Sequence, residues 1–303
     1  MNNQKKILCI GEVLWDFLPS GLFLGGAPLN VCFHLHQLGE SVNIVSRVGN
    51  DRLGKEAIRR IKGKGLPTDF IQIDGEFETG IVGVKIDKNG NPDYEIVSPV
   101  AWDKIELTPG VEAVADDSWA VVYGSLALRD KRSRATILSL LNKEVIKVFD
   151  LNFREPFYDK EIVKEALAPA DILKLNEDEL KQLISWFSLS KEYKEAVEII
   201  AERFSLSSVV VTKGAGGAML FYYENWAEHE GFKVDVKDAV GAGDAFLAAL
   251  IQGISGNKGN SEMLAFANAA GAYVASQSGA TPEYSLHEIK KLVADHKSPS
   301  RKK

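Results

Sequence analysis

Residues 237–250 read KDAVGAGDAFLAAL, and their reading decides what kind of molecule this is. Gly241, Ala242 and Gly243 form a tight, amide-exposing turn that opens an apolar helix. First-turn N–H groups of a helix have no intrahelical partner and make a seat for an anion. Yet the next residue, Asp244, is itself an anion. A carboxylate in the first helical turn is favoured by the helix dipole by about 0.3–1 kcal/mol, so a plain helix start accounts for it. The same amides also suit a transferring phosphoryl group, with Asp244 at the rim to accept a proton from an attacking hydroxyl. The stretch by itself leaves both readings open.

Upstream of it, short apolar runs recur, each followed by a helical pattern. They are ILCIG (7–11), VNIVSRV (42–48), WAVVYG (119–124), VIKVFDL (145–151), DILKL (171–175) and SVVVTKG (208–214). Continuous β-branched runs alternating with amphipathic helices predict an α/β fold with a parallel sheet covered on both faces. Residues 12–25 and 79–98 break the rhythm with rough alternation, and the second carries turn chemistry at Asn89-Gly90 and Asn91-Pro92. Both read as parts of a small antiparallel lid. A further antiparallel patch is expected over 216–236. Three helices come after it, 242–253, 261–277 and 285–295, the second with Ser261 as N-cap and Gly279 just past its end.

The 303 residues carry 36 Lys and Arg against 42 Asp and Glu, a net charge of −6. That balance disfavours nonspecific nucleic-acid binding, so a polyanionic ligand must be held by local amides, a few basic side chains or a metal. Cys9 and Cys32 lie in apolar runs, give no disulfide framework and read as reduced core residues. The five histidines form no metal cluster: His34 and His36, two apart, point to different faces of a helix. No apolar run approaches the ~18 residues of a membrane span, and no signal-peptide pattern opens the chain, so a soluble cytoplasmic protein is expected. The tail HKSPSRKK (296–303) reads as a frayed polar terminus.

Other residues carry chemistry on the same terms. Gly25 and Gly26 lead into a helix over 28–38, and residues without Cβ let a ligand pack against backbone. Asn30 can both donate to and accept from hydroxyls. Asp16, in an otherwise apolar segment, wants a partner, and a vicinal diol is a good one. Asn176 and Glu179 share one face of a helix start and read as a capping box. FDLNFR (149–154) ends a strand in Asp150, Asn152 and Arg154, where an open α/β sheet faces its ligand crevice. Arg154 clamps a phosphate or substrate there, or orders the loop through a salt bridge.

DAVGAGDAF (238–246) resembles the C-terminal signature of the ribokinase-type (PfkB) carbohydrate kinases, and GGAPLNVCFHLHQLG (25–39) is similar to the N-terminal one. The two lie about 210 residues apart, in family order. The resemblance spans essentially the whole chain. It implies a ribokinase-like three-layer sandwich, one α/β kinase domain over 1–303, with a lid from about 12–25 and 76–102. It implies ATP and Mg²⁺ as cofactors and a homodimer joined through the lids. Asp244 is then the catalytic base, with the Gly241, Ala242 and Gly243 amides around the phosphoryl group. Asp16, Gly25, Gly26, Asn30 and Arg154 would hold the sugar. Thr212, Lys213, Gly214, Gly216 and Asn268 would line the nucleotide, although Lys213 reads equally as a solvated charge and Asn268 as a solvent-facing residue. Asn176 and Glu179 would order Mg²⁺ through water. A K⁺-like ion would sit at Asp238, Val240 and Gly279. One departure stands out: Ala239 replaces the family's usual Thr, removing one local hydroxyl.

A nicotinamide oxidoreductase is disfavoured because ILCIG leads into EVLWDF and not into G-x-G-x-x-G. A P-loop NTPase is disfavoured because no G-x-x-x-x-G-K-[ST] occurs. Stretches such as CIGEVLWDFLP, SRVGNDRLG and PVAWDKI look most like bacterial fructokinases, which implies phosphorylation of D-fructose to fructose 6-phosphate. Kinases of ribose or 2-keto-3-deoxygluconate share the frame, and so would a non-catalytic sugar sensor.

Overall fold

The computed structural model describes residues 5–18, 21–86 and 92–297. It opens with β1 (Lys6–Ile10), the hairpin β2 (Leu14–Leu18) and β3 (Gly21–Gly25), and α1 (Ala27–Gln37). Next come β4 (Ser41–Gly49), α2 (Arg52–Gly63), β5 (Ile71–Asp74), and the antiparallel pair β6 (Gly80–Ile86) and β7 (Pro92–Ile96). Helices and strands then alternate through α3 (Pro109–Asp116), β8 (Ala120–Gly124), α4 (Lys131–Leu140), β9 (Ile146–Asp150), α5 (Lys160–Leu167) and β10 (Ile172–Asn176). Two helices, α6 (Glu177–Phe187) and α7 (Tyr193–Phe204), lead to β11 (Ser208–Thr212) and the hairpin β12 (Ala218–Tyr222) and β13 (Asn225–His229). The chain closes with α8 (Ala242–Ser255), α9 (Asn260–Ala275) and α10 (Leu286–Lys297).

Nine strands form one sheet in the order β13-β12-β11-β10-β9-β8-β1-β4-β5. Every pair from β11 to β5 is parallel, and the closing hairpin is antiparallel. The period-2 geometry of a strand sorts its side chains between two cores. Ile7 and Cys9 of β1 pack with α1, α8 and α9, while Leu8 and Ile10 pack with α3, α4, α5 and α7. That double burial is why these runs are apolar throughout. Asp51, Thr108, Asp130 and Asp159 each start a helix by accepting a hydrogen bond from a first-turn amide, a cap generally worth ~1 kcal/mol. Cys9 and Cys32 are both buried free thiols. Among the described residues no helix is long and apolar enough to cross a membrane.

The second sheet has four strands in the order β3-β2-β6-β7. It is not wholly antiparallel, as the alternation suggested, because β2 pairs with β6 in parallel through Leu14–Gly80, Trp15–Ile81 and Asp16–Val82. The patch expected over 216–236 has strands only to His229. Helix α9 starts at Asn260 with Gly259 as N-cap and no side-chain cap bond, so Ser261 lies inside the first turn instead of capping it. Asn89, Gly90 and Asn91 of the expected turn lie outside the described residues, as do 298–303 of the basic tail.

Candidate active site

Parallel strands direct their carboxyl ends to one edge of the sheet, and a crevice there gathers the residues at and just beyond each strand end. Glu12 lies just past β1, Asp150 ends β9, Asn176 ends β10 two residues after Lys174, and Thr212 ends β11. Helix α8 begins at the same edge. Its N-cap, Gly241, has φ 79°, a left-handed geometry that favours glycine. A Cβ at Gly241 would also stand 2.2 Å from the Ala280 carbonyl oxygen. That carbonyl is held in turn by His34, whose Nε2 lies 3.0 Å away and whose Nδ1 lies 3.0 Å from the Tyr284 hydroxyl. A carbonyl only accepts, so Nε2–H donates to it and Nδ1 accepts from the Tyr284 O–H. Burial lowers the His34 pKa to about 4, which keeps the ring neutral.

Asp244 is buried, and its Oδ2 accepts a 2.8 Å hydrogen bond from Asn30 Nδ2. Burial and the nearby Asp150 carboxylate raise its pKa to about 6, against the opposing pull of Lys174, the Asn30 bond and Arg154. The N–H groups of Gly243 and Asp244 have no backbone acceptor among the described residues. Ala242 N–H does have one, the Ala239 carbonyl at 3.3 Å. Of the amides expected to be open, Ala242 is therefore engaged in the turn, because the chain must close a 239–242 bend to enter the helix.

On one side of Asp244 lies a cavity of about 520 Å³ whose walls include Asp16, Asn30, Leu24, Phe33 and Lys64. Gly25 allows Asp16 to lie against the backbone: a Cβ there would stand 2.6 Å from Asp16 Oδ2. Gly26 (φ 114°) is pressed just as closely on the Glu12 carbonyl. The Asp16 carboxyl is half-buried, and burial raises its pKa against the attraction of Arg154. Arg154 itself is exposed; it donates to the neighbouring Phe153 carbonyl, and no carboxylate lies within ion-pair distance among the described residues. The salt-bridge reading of Arg154 does not hold. Asn30 Oδ1 is buried without a partner.

On the other side a cavity of about 540 Å³ is lined by Asn176, Thr212, Gly214, Gly243, Asn268 and other residues. Its floor is the small-residue face of α9, where Gly271, Ala272 and Ala275 leave room. Asn268 is buried there and donates to the Leu264 carbonyl at 2.7 Å, so it does not face solvent. Lys213 and Gly216 do not line this cavity. Lys213 Nζ turns toward Glu228 of β13, 3.9 Å away, and Gly216 closes a 3₁₀ turn by donating to the Lys213 carbonyl. Asn176 and Glu179 do form the capping box: Asn176 Oδ1 accepts from Asp178 and Glu179 N–H, and Glu179 Oε2 accepts from Asn176 N–H. Glu179 Oε1 accepts from Phe153 N–H as well, tying α6 to the loop that carries Arg154. Asp238 gathers the remaining pair, accepting from Val240 N–H at 3.0 Å and Gly279 N–H at 3.2 Å.

Two groups are present that the sequence did not single out. Lys174 is buried and pairs with Asp150 Oδ1 at 2.8 Å. Glu12 is buried, caps Ala27 N–H at the start of α1 through Oε1, and leaves Oε2 without a partner. Burial raises the Glu12 pKa to about 7. The signal for Lys174 was available: a lysine inside the apolar run ILKL has no reason to be there unless it is paired.

The pfkB family carbohydrate kinases match this chain over residues 20–286. The chain belongs to this family. Among its relatives, the uncharacterized sugar kinase PH1459 of Pyrococcus horikoshii is 30% identical over 78% of this chain and 74% of its own length. A fructokinase of Escherichia coli is 27% identical over 83% of this chain and 85% of its own. The crystal structure of Xylella fastidiosa fructokinase with bound ATP superposes with a TM-score of 0.86, at 25% identity, over 97% of this chain and all of that one. Both signatures of a pfkB family member thus converge on one place, with Asn30 from the first touching Asp244 from the second. The floor of the site also suits the divalent cation such a kinase takes. Among the described residues no three acids, histidines or cysteines converge as a cage. Yet Asp150, Glu179 and Asp244 share a single buried lysine, and Asp150 Oδ2 lacks a partner. An oxygen-rich, acid-heavy wall of this kind fits Mg²⁺, which keeps several waters and takes its other ligands from substrate phosphates.

Proposed function

We propose that this carbohydrate kinase transfers the γ-phosphoryl group of ATP to a hydroxymethyl group of D-fructose, giving fructose 6-phosphate and ADP. The observation that carries the reading is Asp244: a buried carboxylate beside two unpaired amides, between a cavity walled by Asp16 and Asn30 and one floored by small residues. Asp16 accepts from sugar hydroxyls, and the glycine pair lets the ring approach the backbone. Asp244 takes the proton of the attacking hydroxyl as its oxygen bonds to the γ-phosphorus and the bond to the ADP oxygen breaks. The Gly243 and Asp244 amides and Arg154 face the charge that develops on the transferring group. Asn176 and Glu179 would hold Mg²⁺ through water, where it would offset the charge of the triphosphate. A monovalent ion at the Asp238–Val240–Gly279 loop and a lid-to-lid homodimer belong to the same reading.

The choice of fructose draws on the fructokinase relatives. A second reading has its own observation: Arg60 and Lys64 also wall the Asp16 cavity. Lys64 donates to the Thr281 carbonyl and has no carboxylate within 4 Å among the described residues. A cation so placed favours a sugar acid such as 2-keto-3-deoxygluconate. The test is ADP release from Mg-ATP with fructose, ribose, 2-keto-3-deoxygluconate, fructose 6-phosphate or adenosine, with Asp244→Asn as the blank. Selective turnover of fructose that vanishes in the variant is expected. Turnover of another acceptor keeps the mechanism and discards the sugar; sugar binding with no turnover of any acceptor moves the protein to a sensor.

A further inference from the structure

Asp16 and Arg154 stand on separate pieces of the molecule, the small sheet and the loop that follows β9. One side chain touches the roots of both. Arg129 lies at the same edge of the large sheet, just past β8 and the 3₁₀ turn Leu126–Leu128. Its side chain is 5% exposed, and its fork donates to Asp103 through Nε at 2.7 Å and Nη2 at 2.9 Å. Nη2 also donates, at 2.7 Å, to the carbonyl of Val97, the residue that follows β7. The guanidinium lies over two rings, 3.9 Å from the centroid of Trp102 and 4.5 Å from that of Phe157.

Each ring leads to one of the two groups. Trp102 is fully buried against the first residue of β6: a Cβ on Gly80 would stand 2.3 Å from its Nε1. Gly80 pairs with Leu14 and Val82 with Asp16, so this ring fixes where the Asp16 strand sits. On the other side, Phe157 N–H donates to the Arg154 carbonyl at 2.8 Å and closes the turn that carries Arg154. Asp103 completes the root of the small sheet by accepting from Val100 N–H at 2.9 Å. Stability is a poor account of so deep a pair. Two buried charges are often no better than apolar residues filling the same space. Here Nη1 is also buried without a partner among the described residues, a cost in itself.

We propose that Arg129 is a positioning residue for sugar binding, a buried fork that joins the root of the small sheet to the Arg154 turn and so fixes the distance between Asp16 and Arg154. This rests on the reading of those two residues as the sugar's charged partners. Arg129 itself lines neither cavity, so it acts through them. Losing the fork should therefore loosen both segments together, and it should cost affinity for the sugar and not for the nucleotide. A lysine keeps the charge beside Asp103 but has no planar fork to bind two oxygens and stack at once. A pair kept only for packing would lower stability and leave both segments and the sugar affinity as they are.

The experiment compares Arg129→Lys with wild type by amide hydrogen exchange, beside steady-state kinetics with D-fructose and Mg-ATP. Exchange needs no turnover, so it decides the role of Arg129 even if no sugar is phosphorylated; absence of turnover in the wild type would count against the kinase reading alone. In the variant, protected amides of β2, β6 and the 151–159 loop should all exchange about tenfold faster, while those of β10, β11 and α8 keep their rates. KM for D-fructose should rise about tenfold, with KM for Mg-ATP within about twofold of wild type. If Arg129→Lys does not fold, the neutral pair Arg129→Met/Asp103→Asn carries the same comparison, since it leaves no charge buried alone and asparagine can still accept from Val100 N–H. Wild-type exchange in either the small sheet or the loop, or a wild-type KM for D-fructose in an active variant, would overturn the proposal.

Discussion

Asn30 and Asp244 lie 214 residues apart in the chain, and Asn30 Nδ2 donates to Asp244 Oδ2 at 2.8 Å. That bond joins the helix behind the glycine pair to the helix that carries the proposed base, so in the proposed reaction substrate orientation and proton acceptance share one contact. A hydrogen bond to an ionised acceptor is worth about 1.5–3 kcal/mol, and it favours the ionised form. In Asn30→Ala the base loses that support. The acid limb of kcat/KM should move upward by about a pH unit, and KM for the sugar should rise in the same variant. A pH–rate profile measured beside wild type checks both. An unshifted limb with a raised KM would confine Asn30 to the sugar.

Asp244, the proposed base, makes the protein less stable above pH 6. Asp244 has its pKa raised from the ordinary 3.8 to about 6 in the folded chain, chiefly by burial. The folded state therefore holds this proton more tightly than the unfolded state does. Below about pH 4 both states are protonated and nothing is lost; stability then falls as pH rises toward 6 and stays level above it. Two pH units amount to about 3 kcal/mol at the upper end. Asparagine has no charge to desolvate and can keep the Asn30 bond through its carbonyl. Asp244→Asn should thus unfold at higher denaturant concentration than wild type at pH 8, by up to that amount, with the gap closing at pH 4. The same variant should lose about 10²–10⁴-fold in turnover. A variant that is inactive and also less stable at pH 8 would show that Asp244 holds the turn together instead of straining it.

Gly241 meets two constraints at once. Its φ of 79° would cost another residue about 1–3 kcal/mol. Its contact with the Ala280 carbonyl admits no Cβ without moving either α8 or the 278–284 loop that His34 anchors. Gly241→Ala should therefore misplace the Gly243 and Asp244 amides. Losing preorganised donors of that kind costs about 10²–10³ in kcat, with sugar binding at Asp16 less affected. Steady-state kinetics and sugar titration of the purified variant separate the two effects. Wild-type kcat would mean that the amides do not need this geometry.

The legibility of the fold and of the site differed for physical reasons. Double burial leaves a continuous apolar run, and all seven parallel strands but β5, whose IQID has a polar residue in the middle, announced themselves that way. The parallel β2–β6 pairing was invisible because alternation predicts a strand and not its partner. At the site, residues whose spacing is local, such as the capping box and the 241–244 turn, were found directly. Lys213 was ambiguous because a glycine-rich turn does not fix which way the preceding side chain points; it turns to Glu228. Glu12 gains its partner Ala27, 15 residues on, only in the folded chain, and Lys174, though out of place in an apolar run, meets Asp150, 24 residues upstream, only there.

The small sheet carries the last prediction. Phe17 and Phe23 remain 43% and 41% exposed on β2 and β3, on strands whose outer face would otherwise have to be blunted by charge. An exposed apolar hairpin at the mouth of the Asp16 cavity is best explained by a second copy of the same chain covering it, since self-pairing of identical edges gives a closed two-fold assembly. Light scattering at micromolar concentration should give twice the chain mass of 33.2 kDa. The double variant Phe17→Ser/Phe23→Ser should run as a monomer, with unchanged melting behaviour of the large sheet and a raised KM for the sugar, because the partner no longer steadies the strand that carries Asp16. If wild type is monomeric, the two phenylalanines must serve the protomer's own cavity, and the serine variant should then raise KM without any change in mass.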